Sequence, residues 1–226
     1  LKSIKLIAFD LDGTLLDSVP DLAVAADQAA RAVGYPAVSE AQVRDYVGNG
    51  ADVLIARALS QSLTINPELS PELRAQARHL FDEFYEQTGH KLSHLYPNVK
   101  TTLLELHLAG FILALVTNKP SKFVPDVLEQ HGIAHFFSDV IGGDTFPNKK
   151  PDPMALNWLL EKHQLSAEQM LMVGDSKNDI LAAKNAGCYS FGLTYGYNHG
   201  EPIANAEPDF VSDDIGTLLE VVLVSA

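Results

Sequence analysis

The sequence predicts an α/β protein: a Rossmann-like doubly wound parallel sheet core with an inserted helical cap domain. Three observations carry this expectation. Five short apolar runs, IKLIAF (4–9), FILALV (111–116), SDVIGG (138–143), MLMVG (170–174) and YSFGLT (189–194), are mostly separated by helical patterns, as in a parallel sheet covered on both faces. A long helical block with no strand pattern parts the first run from the other four. Polar residues gather just beyond the runs, where an open parallel sheet binds its ligands. At 226 residues the chain has room for one core and a sizeable insert.

Taken in order, IKLIAF is the first strand, closed by Asp10 and Asp12. From Asp17 to about His94 the pattern is helical. Ser39-Glu40-Ala41-Gln42 reads as a capping box, Gly48-Asn49-Gly50 as a tight loop, and Ser70-Pro71 as an N-cap with proline at the first helical position. After Ser70, the residues Leu73, Ala77, Leu80, Phe81 and Phe84 recur at helical spacing and form one apolar face. Residues 17–95 are therefore read as the cap and residues 1–16 and 96–226 as the core, with junctions near Asp17 and Tyr96-Pro97.

Composition narrows the function. A formal charge of -13 disfavours nucleic acid, whose phosphates are bound by clustered Lys and Arg. The single cysteine, Cys188, can form no intrachain disulfide, which fits a reducing compartment and favours the cytoplasm; a buried packing thiol is its default role. FILALV is too short to span a bilayer, and no secretory signal pattern opens the chain, so no membrane partner is expected. The pairs His90/His94 and His131/His135 have no third ligand in view, and Gly132 interrupts the second pair, so zinc is not expected. Arg44 and Arg57 are read as solvated helix residues.

The chemistry lies at the strand ends. IKLIAF ends in Asp10 and Asp12, FILALV in Thr117 and Asn118, and MLMVG in Asp175 with Asp179 four residues on; a loop carrying Asp144, Lys149 and Lys150 follows SDVIGG. So many carboxylates in one crevice repel one another unless a cation sits among them. An oxygen-only donor set suits Mg²⁺, held together with a substrate phosphate. An aspartate is ionised at neutral pH, so Asp10 can attack phosphorus directly and form an aspartyl-phosphate. Asp12, two residues on and on the same side of an extended chain, can protonate the leaving alcohol and then deprotonate the hydrolytic water. Gly13 permits a sharp exit from the strand, and Thr14 offers an amide or hydroxyl to the phosphate. Phosphate-monoester hydrolysis needs accelerations of up to on the order of 10²¹. One general acid supplies only about 10² to 10⁴, so Mg²⁺, Lys150, Thr117 and Asn118 must stabilise the phosphoryl charge.

DxDGT (Asp10 to Thr14), Thr117, Lys150-Pro151 and GDxxxD (Gly174 to Asp179) together resemble the haloacid dehalogenase-like superfamily. Within it, DLDGTLLDSVPDLA, VGNGADVLIARAL, VTNKP, NKKPDP, GDSKNDILAAKNAGC and GLTYGYNHGE are similar to the bacterial phosphatases that act on 2-phosphoglycolate. The resemblance implies that Asp10 is nucleophile and metal ligand, that Asp12 is acid/base and ligates metal through its carbonyl, and that Asp175 is the third ligand. Asp179 would orient Lys150 or a metal-bound water, and Gly48-Asn49-Gly50 would be a substrate-facing cap loop. The chain departs from the pattern at Asp152, where His is expected, and at Asn98, where Gly is common.

The expected activity is Mg²⁺-dependent hydrolysis of 2-phosphoglycolate by a monomer. Two alternatives stay open: a phosphatase of broad specificity for small phosphomonoesters, and a phosphomutase, against which Thr14 speaks because such mutases usually carry Val there. A non-catalytic binding domain is the third class. Asp12 excludes a dehalogenase and a Schiff-base relative, both of which lack that carboxylate.

Overall fold

The computed structural model describes residue 1 and residues 3–223. β1 (Leu6–Phe9) leads to the two-residue β2 (Leu16–Asp17), and four helices follow: α1 (Val19–Ala32), α2 (Glu40–Tyr46), α3 (Ala51–Ser60) and α4 (Pro71–Thr88). After β3 (His94–Leu95) come α5 (Val99–Leu108), β4 (Ile112–Val116), α6 (Val124–Gln130), β5 (Asp139–Ile141) and α7 (Met154–His163). The chain continues through β6 (Met170–Gly174), α8 (Lys177–Ala186), β7 (Tyr189–Leu193), β8 (Phe210–Ser212) and α9 (Leu218–Leu223).

Six strands pair in parallel in the order β5-β4-β1-β6-β7-β8, so the predicted fold class is borne out. From β1 the chain moves to β4 and β5 on one side, then crosses to β6, β7 and β8 on the other. This reversal of strand order creates a crevice at the carboxyl end of β1, where sheets of this kind bind ligands. The register sets Phe9 beside Leu115 and Val173, so the residues just after β1, β4 and β6 emerge side by side. Each of those strands is buried on both faces. Ile7, Phe9, Leu113, Leu115, Leu171 and Val173 enter one apolar cluster, while Leu6, Ala8, Ala114, Val116, Met170 and Met172 enter another. That double burial is why the strands read as unbroken apolar runs.

Three strands were not expected. β8 is a half-exposed edge strand bounded by Asp209 and Asp213, too short and too polar in its surroundings to stand out. β2 and β3 pair antiparallel, Leu16 with Leu95 and Asp17 with His94, at the two junctions read from the sequence. Two-residue strands leave no periodic signal, and only contact across the intervening helices reveals them. Buried Asp21 fixes the second junction by accepting hydrogen bonds from the backbone N–H of Leu92 (3.1 Å) and Ser93 (2.7 Å) and from the Ser93 hydroxyl.

The helices from α1 to α4 have a core of their own. α1 offers the small residues Ala25, Ala26, Ala29 and Ala30, and α4 packs there with buried Ala77, Phe81 and Tyr85, while Leu73, Leu80 and Phe84 flank them. The Ser39–Gln42 capping box is present, and Ser70 accepts from Leu73 N at 3.1 Å with Pro71 first in the helix. Ser70→Ala is expected to cost about 1 kcal/mol by urea unfolding, since it frees one terminal N–H donor; an unchanged midpoint would remove that cap from the account. Cys188 is buried and unpaired in the core, as expected. No described helix is long and apolar enough to cross a membrane.

Candidate active site

Asp10 follows β1, Asp175 follows β6, and Asp179 lies in the first turn of α8. All three are buried, and one carboxylate oxygen from each lies within 4.8 Å of the others; it is the only such acidic, histidine or cysteine cluster found among the described residues. Burial is the largest influence on Asp10 and pushes it up to about 7; Lys150 opposes this, while Asp179 and Asp12 add to it. Burial, then Asp179 and Asp10, hold Asp175 well above the usual carboxylate range. Carboxylates so placed ionise readily only beside a cation, and the oxygen-only donors fit Mg²⁺. Asp12 stands outside the cluster by its side chain, leaving its carbonyl as the group that could join it.

Lys150 lies in the same place, 4% exposed, with Nζ 2.9 Å from Asp10 Oδ1 and 2.6 Å from Asp179 Oδ1. Burial works against its charge, but Asp10 and Asp179 outweigh it and raise the ammonium to about 12. The other Asp179 oxygen accepts from the backbone N–H (3.0 Å) and hydroxyl (2.8 Å) of Ser176, so Asp179 is fixed before it holds Lys150. Gly13 is needed twice over. Its φ of +92° suits glycine, and a Cβ there would stand 2.2 Å from Asp175 Oδ2.

Thr117 and Asp12 both line the crevice. The Thr117 oxygen accepts from Lys119 N at 3.1 Å, which leaves its own proton to donate toward a ligand. Asp12 Oδ1 accepts from the Ser18 hydroxyl at 2.6 Å and from Lys119 Nζ at 3.1 Å.

Two residues expected to hold phosphate have side chains engaged elsewhere. The Thr14 hydroxyl donates to Asp175 Oδ1 at 2.6 Å and its N–H to Leu11 O at 3.3 Å, so Thr14 orients a carboxylate that would otherwise be short of donors. The Asn118 amide donates to Gly48 O and Lys150 O, both at 3.0 Å, and so ties the cap loop to the lysine's own backbone. Asn178 donates to the same Gly48 carbonyl at 3.1 Å, and His199 meets Asp45 O at 2.7 Å, so the cap is closed. Gly48 and Gly50 line the cavity beneath it. Asn49 is not among the lining residues: its Oδ1 accepts from Arg57 at 3.0 Å.

Neither arginine is a plain solvated residue. Arg57 also donates to Tyr46 O (2.8 Å) and Leu63 O (3.1 Å), bracing the loop, and Arg44 pairs with Asp17 at 3.2 Å. Asn98 adopts the left-handed conformation (φ 64°) that glycine would favour, and its amide donates to Asp214, which accounts for that departure from the family pattern.

The cavity is small, about 40 Å³, and meets Asp10, Asp12 and Thr117 on the core side. Its other lining includes Lys119, Tyr85 of α4 and apolar Leu22, Leu54, Phe81 and Phe123. Sequence reasoning passed over Lys119 and Tyr85. The position of Lys119 two residues beyond Thr117, at the end of β4, was the available signal. Burial pushes the Tyr85 hydroxyl up to about 12, so it is a neutral donor at physiological pH.

The family model for haloacid dehalogenase-like hydrolases matches residues 7–193. The chain is 99% identical over 226 residues to the phosphoglycolate phosphatase of Vibrio cholerae, covering 100% of both. It is 81% identical to that of Vibrio vulnificus strain CMCP6, covering 100% of this chain and 99% of the relative. Among solved structures, a predicted phosphoglycolate phosphatase from Haemophilus somnus superposes with a TM-score of 0.91 at 44% identity, covering 98% of this chain and 99% of that one.

Proposed function

The chain belongs to the haloacid dehalogenase-like hydrolase family, and on that footing we propose how its residues hydrolyse 2-phosphoglycolate to glycolate and phosphate. The observation that carries the chemistry is Asp10 lying 2.9 Å from Lys150 in a buried crevice, with Asp12 two residues on beneath a closed cap. The substrate comes from the relatives, both phosphoglycolate phosphatases of nearly the same length.

Asp10 attacks phosphorus; the phosphorus–oxygen ester bond breaks as Asp12 gives its proton to the leaving glycolate oxygen. Water then attacks the aspartyl-phosphate, Asp12 takes its proton, and phosphate leaves with Asp10 restored. Lys150 offsets charge on Asp10 and on the phosphoryl oxygens, and the Thr117 hydroxyl donates to one of them. Mg²⁺, held by Asp10, Asp175 and the Asp12 carbonyl, would neutralise the phosphoryl charge further. Asp179 positions Lys150. The closed cap over residues 17–95 keeps bulk water from the intermediate. The working unit is read as a monomer, and the lone buried cysteine supports a cytoplasmic setting.

Phosphate release from 2-phosphoglycolate should exceed that from sugar phosphates, nucleotides and pyrophosphate by about a hundredfold or more in kcat/KM. Flat rates across such a panel would withdraw the substrate.

Metal removal gives a second test. Asp10 and Asp175 bind protons more tightly folded than unfolded, so the metal-free protein loses stability as pH rises from about 4 toward 7. Added Mg²⁺ should therefore abolish the effect of chelator on activity and raise Tm more at pH 7.5 than at pH 5.5. Equal shifts at both pH values would overturn this metal site.

A further inference from the structure

We propose that Lys119 and Tyr85 form the subsite that receives the substrate's carboxylate, and so set the selectivity of the enzyme; this deepens the reading above and rests on it. Lys119 is 5% exposed, and of the residues lining the cavity it is the only cation. Its Nζ lies 3.1 and 3.3 Å from the two Asp12 oxygens and 4.7 Å from the centre of the Tyr85 ring. Tyr85 is 1% exposed, and its hydroxyl, beside the Lys119 ammonium, finds no acceptor for its own proton among the described residues.

A buried hydroxyl proton without an acceptor is costly, and it points to an acceptor that arrives with a ligand. Beside a buried ammonium, the acceptor that fits is an anion. Its position follows from the chemistry: Asp12 must reach the ester oxygen, and the carboxylate carbon of 2-phosphoglycolate is two bonds beyond that oxygen. The carboxylate is thereby delivered next to Asp12, where Lys119 already stands. The rest of the lining works by exclusion. Leu22, Leu54, Phe81 and Phe123 offer no partner to the hydroxyls of a sugar phosphate, which would enter the small cavity unsatisfied.

The two residues divide across the molecule. Lys119 comes from the loop after β4 and Tyr85 from α4, so the subsite is complete only with the cap closed. Phe123 packs edge-on against Tyr85, with ring centres 5.0 Å apart, and Phe81 stacks on it at 5.6 Å, which fixes the ring and leaves the hydroxyl as the variable contact.

The test compares 2-phosphoglycolate with ethyl phosphate, in which a methyl replaces the carboxylate, in wild type, Lys119→Met and Tyr85→Phe. The wild-type ratio of kcat/KM values should be about a hundred or more. Lys119→Met should reduce that ratio by roughly 10- to 100-fold and Tyr85→Phe by about tenfold, with the loss mainly in KM. Tyr85→Phe should leave Tm near the wild-type value, because it keeps the packed ring and removes only a hydroxyl whose proton has no acceptor. Equal losses on both substrates would overturn the subsite, since the residues would then act only through Asp12 or the fold. A wild-type ratio near one would overturn the 2-phosphoglycolate reading together with it.

Discussion

Asp10→Asn should lower phosphate release from 2-phosphoglycolate by on the order of 10⁴- to 10⁶-fold, while the metal-free protein at pH 7.5 stays as stable as wild type or gains stability. An amide oxygen is no nucleophile toward phosphorus, so the step that forms the aspartyl-phosphate is lost. The stability half has a separate cause. Asp10 shares a buried space with Asp175 and Asp179, and burial already disfavours its charge. Replacing it by a neutral group of the same shape relieves that repulsion, and Lys150 keeps Asp179 at 2.6 Å. Single-turnover phosphate release and thermal unfolding measure the two halves. Retained turnover would assign the attack to another residue, and collapse of the fold would make Asp10 a structural anchor.

The groups most legible in the sequence were those fixed by strand geometry. Asp10, Thr117 and Asp175 each follow a fully buried apolar run, and parallel register alone brings the ends of β1, β4 and β6 together. Lys150 was legible through its place in an ordered set of motifs rather than through any local pattern.

Partner choice was less accessible. Thr14 and Asn118 carry groups able to hold phosphate, but which acceptor each finds depends on the packing of Asp175 and of the Gly48 carbonyl against them. A lysine in a loop is solvated by default, so Lys119 shows itself only through its burial between Asp12 and an aromatic ring from α4. Tyr85, four residues after Phe81, reads as one more residue of the helix's apolar face; its lone hydroxyl is visible only in three dimensions.

Lys150→Met carries the other large effect, and here activity and stability should fall together. Turnover should drop by about 10³-fold or more, because the ammonium is the protein's own fixed positive charge at the reacting phosphoryl group. Stability at pH 7.5 without metal should fall by about 3–5 kcal/mol, the typical result of removing one partner from a buried ion pair. Its pH dependence follows from the carboxylates left behind. With Lys150 gone, the influence that lowers Asp10 disappears, so its folded pKa rises further above the value of about 7. A carboxylate with a raised folded pKa is relieved by protonation, so the cost of Lys150→Met should shrink as pH falls from 7.5 to 5. The double variant Lys150→Met/Asp179→Asn should recover part of the stability and none of the activity, since it removes the stranded charge without restoring the cation. Urea unfolding at the two pH values decides the matter: a cost independent of pH would mean that Lys150 holds the fold by packing alone, and its place in the chemistry would then rest on turnover only.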